Sequence, residues 1–65
     1  MIPIYEAILD AQYDKNEQEE ARLQVILADR FESVVDRYKK GELTPVELLH
    51  LLLAAAGTPE GYNAE

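Results

Sequence analysis

The sequence predicts an all-α protein built on a helical hairpin, and three observations carry that reading. No proline or glycine falls between Ile4 and Lys40, so the two strongest helix breakers are missing there. Apolar residues in that stretch recur at spacings of three and four, the period of one helix face. A second run, Leu43–Gly57, carries start and stop signals at its two ends. The hairpin is therefore a long helix over about residues 4–40 and a short helix over residues 45–56. A break of the long helix near 14–16 is the alternative to an unbroken rod.

Taken in order, Pro3 suits the first turn of the long helix, where a missing N–H is no loss. Tyr5, Ile8, Leu9 and Tyr13 make a short apolar stripe. Leu23, Ile26, Leu27, Phe31, Val34, Val35 and Tyr38 make a broader one, in phase with the first if the helix is unbroken. Between them Asn16 and Glu20 occupy stripe positions, so DKNEQEE is either solvated helix or a turn. In the second case Asp14 with Glu17, or Asn16 with Glu19, would cap a fresh helix.

Gly41 can end the long helix in the left-handed conformation. Thr44 stands three residues before Glu47, the spacing of a capping box, and Pro45 takes the first helical position. Gly57 is the expected left-handed cap of the short helix, with Pro59 preventing continuation. So short a connection makes the helices antiparallel neighbours. Tyr38 is then expected near Val46, Val34 near His50, and Phe31 near Leu53. Residues 1–57 form one helical domain, and 58–65, which include Tyr62, form a flexible tail.

Composition narrows the function classes. At 65 residues, a single core contributes only a few kcal/mol. Cysteine is absent, which removes disulfides and thiolate metal sites. The segment MIPIYEAILD lacks the basic start and apolar run of a signal peptide. The short helix has about half of the ~20 residues that a membrane span needs. A cytoplasmic location and no membrane partner are expected. The net charge of −7 disfavours direct nucleic-acid binding. Residues 1–20, 21–40 and 41–65 carry −5, +2 and −4, and acid early with base late suits the dipole of the long helix.

No residue pattern supports catalysis, so the chain is expected not to be an enzyme. With no cysteine, one histidine, and Ser33 inside a helical run, an activated nucleophile has no foundation. Glu47 and His50 have the Glu-x-x-His spacing of di-metal bundle proteins. Such a site also needs carboxylates from the long helix at that level, where the register places Ser33, Val34 and Val35. DKNEQEE fails as a calcium loop, with Glu19 in place of glycine and Val25 in place of the bidentate glutamate. Helix–GELTP–helix superficially matches a helix-turn-helix, and Arg30, Arg37, Lys39 and Lys40 lie near the turn. Its second helix, however, offers leucine and alanine where a groove reader needs polar side chains. No catalytic residue, cofactor or metal ligand is assigned.

What remains is missing cover. A short helix about 18 Å long reaches only the Leu27–Tyr38 part of its neighbour. The Tyr5–Tyr13 stripe then lies open unless residues 4–13 fold back as a third helix, and so does the outer face of Leu48–Leu53. Each leucine left in water costs about 1.5–3 kcal/mol relative to burial. Two hairpins pairing as a dimeric four-helix-type bundle would close both deficits. An antiparallel pair would also set the acidic half of one long helix beside the basic half of the other.

The expected partner or oligomer interface comprises Tyr5, Ile8, Leu9, Tyr13, Leu48, Leu51, Leu52 and Ala55. Val46, Leu49 and Leu53 are assigned to the intrachain core with Leu27, Phe31, Val34 and Tyr38, and Leu52 is shared between the two faces. A separate acidic face of Asp10, Asp14, Glu17, Glu19 and Glu20 would suit imitation of a nucleic-acid backbone. The expected function is a small acidic, non-enzymatic protein–protein interaction module. It self-associates, favouring a dimer, and binds or regulates a larger protein. The alternatives are a phage or mobile-element inhibitor of a host protein, and a subunit or assembly factor of a larger complex. The hairpin turn and the leucine/alanine helix resemble helical segments of phage tail-assembly chaperones. That resemblance covers the second half of the chain, implies the assembly-factor alternative, and transfers no site.

Overall fold

The computed structural model describes residues 2–61. Three helices follow one another: α1 (Ile4–Tyr13), α2 (Glu17–Lys39) and α3 (Pro45–Gly57). Among the described residues there is no strand. The long helix expected over 4–40 is thus two helices, and the break at 14–16 is where the chain turns back.

Local chemistry explains that turn. Lys15 adopts a left-handed conformation, with φ 55°. Its N–H donates to the Gln12 carbonyl at 3.1 Å, and the Asn16 N–H donates to the Ala11 carbonyl at 2.9 Å. These are the two bonds of a Schellman termination, which normally has glycine at the left-handed position. Asn16 closes α1 with its backbone and opens α2 with its side chain, whose oxygen accepts from the Glu19 N–H at 3.3 Å. Of the two expected caps, the Asn16–Glu19 one forms.

The other ends are equally local. Gly41, at φ 79°, ends α2 with a second Schellman pair. Its N–H meets the Tyr38 carbonyl and the Glu42 N–H meets the Arg37 carbonyl, both at 3.0 Å. α3 opens with the full capping box: the Thr44 N–H donates to Glu47 Oε1 at 3.0 Å, and the Glu47 N–H donates to Thr44 Oγ1 at 3.2 Å. Gly57, expected as a left-handed cap, instead completes α3 as its last helical residue. Thr58 is extended at φ −91°, ψ 137°, because the ring of Pro59 disfavours a helical residue before it.

α1 doubles back along the first half of α2, and α3 doubles back along the second. The ten residues of α1 and thirteen of α3 together match the twenty-three of α2. The start of α1 meets the end of α3 midway, where the Ile4 N–H donates to the Thr58 carbonyl at 3.1 Å. The result is a rod with extents of 40 × 19 × 19 Å.

Burial is uneven along this rod. Ile4, Ile8 and Leu23 form the core, with Ala7, Ile26 and Leu27 packed against them. Ala11 is also buried, whereas α3 contains no fully buried residue. Folding back as a third helix therefore gives α1 the cover that a continuous rod would have denied it. Ile8, expected at an interface, faces Leu23 in the chain's own core.

Candidate interaction surface

α3 is apolar on almost every side, so its docking onto α2 can use only part of its apolar circumference. Leu48, Leu51, Leu52 and Ala55 are half-buried. Val46, Leu49 and Leu53 are 62%, 55% and 63% exposed. At about 100° per residue these three form one strip facing away from the buried four. The assignment made from sequence is reversed: the residues expected to close the hairpin point outward, and Leu48, Leu51 and Ala55 point inward. His50 is exposed as well, so Val46, His50 and Leu53, expected beside Tyr38, Val34 and Phe31, all lie on the exposed side of α3.

Arg30 holds the C-terminal end of α3 in this orientation. It occupies a position in the apolar stripe of α2, four residues after Ile26 and four before Val34. Its half-buried guanidinium donates to the carbonyls of Ala55 and Thr58 at 3.1 and 3.0 Å, and of Pro59 and Glu60 at 2.9 and 3.0 Å. A planar fork with five donors can serve several acceptors at once, and its charge suits the negative end of α3. Ala55, whose carbonyl it holds, lies on the half-buried side of α3. Arg30, grouped by sequence with Arg37, Lys39 and Lys40 near the turn, is instead engaged with four carbonyls at the far end of α3. The available signal was a lone arginine between core positions.

The same clamp reaches into the segment expected as the tail. Thr58–Glu60 are fastened to α2 by Arg30, and Arg22 Nη1 reaches Glu60 Oε2 at 2.6 Å. Residues 62–65, with Tyr62, lie outside the described residues.

On α1, Tyr5, Leu9 and Tyr13 are 45%, 57% and 88% exposed and follow one another at i, i+4 spacing. The carboxylates divide. Asp10, Asp14 and Glu17 are exposed at the α1–α2 corner, while Glu19 and Glu20 are half-buried. Glu19 pairs with Arg22, whose hydrogen bonds hold that carboxyl below its ordinary value. A shallow groove of about 250 Å³ at this corner is lined by Gln12, Lys15, Asn16, Glu17 and Glu20 among others. With an ammonium among the acids, it has no single sign of charge to offer a ligand.

Elsewhere the candidate chemistry disperses. Glu47 is held in its capping box, where the Thr44 backbone N–H and then its hydroxyl lower the carboxyl's pKa. Among the described residues, no three His, Asp or Glu side chains gather to hold a metal ion. Arg37 lies 3.8 Å from Glu42. No described helix is long and apolar enough to cross a membrane. No protein-family model, curated protein or solved structure matches the chain.

Proposed function

We propose that this chain is a non-enzymatic protein–protein interaction module whose working surface is the outward strip of α3. One observation carries the reading: the most apolar helix of the chain has no fully buried residue, while Val46, Leu49 and Leu53 stand more than half exposed in one line. Singly exposed leucines are ordinary on protein surfaces; here three exposed apolar side chains stand together on one helix. The strip also lacks charge, since Glu47 is the one acid of α3, no lysine or arginine lies on the helix, and Glu47 is engaged in the cap.

The exposed Asp10, Asp14 and Glu17 favour a second reading, in which the acidic corner engages a basic target in place of a nucleic acid. Capture of partners from the native cell separates the two. Partner binding that is lost with Leu49→Asp and kept with Glu17→Lys supports docking through α3. The opposite pattern, together with steep loss of binding at raised salt, transfers the function to the corner.

A further inference from the structure

α1 presents a second apolar strip to solvent, and unlike that of α3 it is framed by charge of one sign. Tyr5, Leu9 and Tyr13 follow one another at four-residue spacing, turned away from the buried Ile4, Ile8 and Ala11. We propose that this face docks a cationic amphipathic segment of another protein, an apolar helical stripe bordered by lysine or arginine. The surface is separate from the α3 strip and does not depend on it.

Both borders of the strip carry carboxylates. At about 100° per residue, exposed Glu6 and Asp10 lie along one edge, and the Tyr5 hydroxyl donates to Glu6 Oε1 at 3.5 Å. Exposed Gln12 lies along the other edge, and across the corner groove from it stand Glu17 and Glu20 of α2. Asp14 closes the end of the helix. The cations of this half do not offset these acids. Residues 4–24 hold six carboxylates against Lys15 and Arg22, and Glu60, paired with Arg22, brings the half to a net −5. Arg22 is held between Glu19 and Glu60, which leaves Lys15 as the cation beside the groove.

That frame selects the occupant. The phosphates of a nucleic acid and an anionic lipid surface carry the wrong sign. A second copy has no matching face, because its own α1 strip brings another half of net −5. Its Arg30 is engaged with four carbonyls and its Arg37 lies beside Glu42. Lys39 and Lys40 share the α2–α3 corner with Asp36 and Glu42. An apolar stripe with cationic flanks must therefore come from a different chain. Tyrosine suits such a partner, since its ring covers apolar surface and its face attracts lysine and arginine. The carboxylates fix the sign of the partner and speed encounter, while the strip supplies the buried contact. Imitation of a nucleic-acid backbone would use the carboxylates alone.

The probe is a synthetic peptide of about 18 residues with leucine on one helical face and lysine on the other, its binding to the purified chain read by fluorescence anisotropy. One control peptide scrambles the stripe at the same composition, and another replaces lysine with glutamate. Saturable binding of the patterned lysine peptide, at least about tenfold tighter than either control, is expected. Leu9→Asp and Tyr13→Asp, at side chains that already stand in solvent, should each weaken it about tenfold although both make the face more acidic. Attraction by charge alone predicts the reverse, so unchanged or tighter binding by these variants overturns the proposal. Equal binding of the scrambled peptide, or no saturable binding below about 100 μM, overturns it as well. Glu6→Lys combined with Asp10→Lys, and raised salt on the wild type, should also weaken binding. Circular dichroism verifies that each variant stays helical, and the peptide controls need no variant. Leu49→Asp should leave the affinity unchanged. If Leu49→Asp abolishes binding and Leu9→Asp does not, the peptide sits on α3, which overturns the α1 assignment and leaves the α3 docking face intact.

Discussion

Arg30 ties three segments together, and removing its side chain is the sharpest test of the fold. Arg30→Ala deletes four hydrogen bonds, three of them part-buried and one exposed. Bonds to charged donors contribute about 1.5–3 kcal/mol each, but carbonyls within reach of solvent recover most of that by bonding water. Two of the acceptors keep another donor when Arg30 is removed, the Thr58 carbonyl from the Ile4 N–H at 3.1 Å and the Ala55 carbonyl from the Thr58 N–H at 3.4 Å, so the net loss is well below the sum of four bonds. A loss of about 2–3 kcal/mol is expected, against a total stability of roughly 3–9 kcal/mol for a chain this small. In a thermal melt followed at 222 nm, that corresponds to a fall of about 10–20 °C. Arg30→Lys should fall between, because a single ammonium cannot span four acceptors as a planar fork does. The reasoning is refuted if Arg30→Ala melts within about 0.5 kcal/mol of wild type, or if the lysine variant matches wild type.

Other expectations follow from the same geometry. Lys15→Gly should stabilise the fold by about 0.5–1 kcal/mol in urea denaturation, because the left-handed cost of a side chain disappears. Gly41→Ala, at φ 79°, should destabilise by a similar amount. Thr44→Ala should lower the melting stability by about 1 kcal/mol through loss of the cap. Glu19 and Glu47 both have carboxyls lowered from the ordinary 4.5. A depressed folded pKa means that their contribution is complete above the unfolded value and is lost as pH falls through the folded one. Denaturation midpoints measured across pH 2–7 should therefore stay level above about 5 and drop below about 4.5, and Glu47→Gln should flatten that drop.

Both ends of α2 and the start of α3 were legible because each depends on side chains within a few residues, whereas Gly57 did not act as the left-handed cap expected of it. Thr44 with Glu47, Gly41, and Asn16 with Glu19 all lie where their chemistry placed them. The fold-back of α1 was legible only as an alternative, because its left-handed residue is a lysine, which carries no turn signal. Ile4 and Ala11 were missed as core residues since the expected stripe of Tyr5, Ile8, Leu9 and Tyr13 was centred on the other side of α1, and only Ile8 of it is in the core. The orientation of α3 could not be read at all from periodicity. Leucines surround that helix, so its pattern contains no preferred face, and the arginine that holds its C-terminal end lies far away in sequence.

The meeting of α1 and α3 midway along α2 bears on how the chain folds. α1 with α2, and α2 with α3, are each sequence-local hairpins that can form rapidly and independently on a shared helix. The junction is different: the bond between Ile4 and Thr58 joins points near opposite ends of the described chain, a closure that gains nothing until both hairpins exist. If it closes after the rate-limiting step, weakening it leaves the refolding rate nearly unchanged and speeds unfolding. The middle of the rod, rather than either tip, is then the latch that sets its lifetime in the folded state.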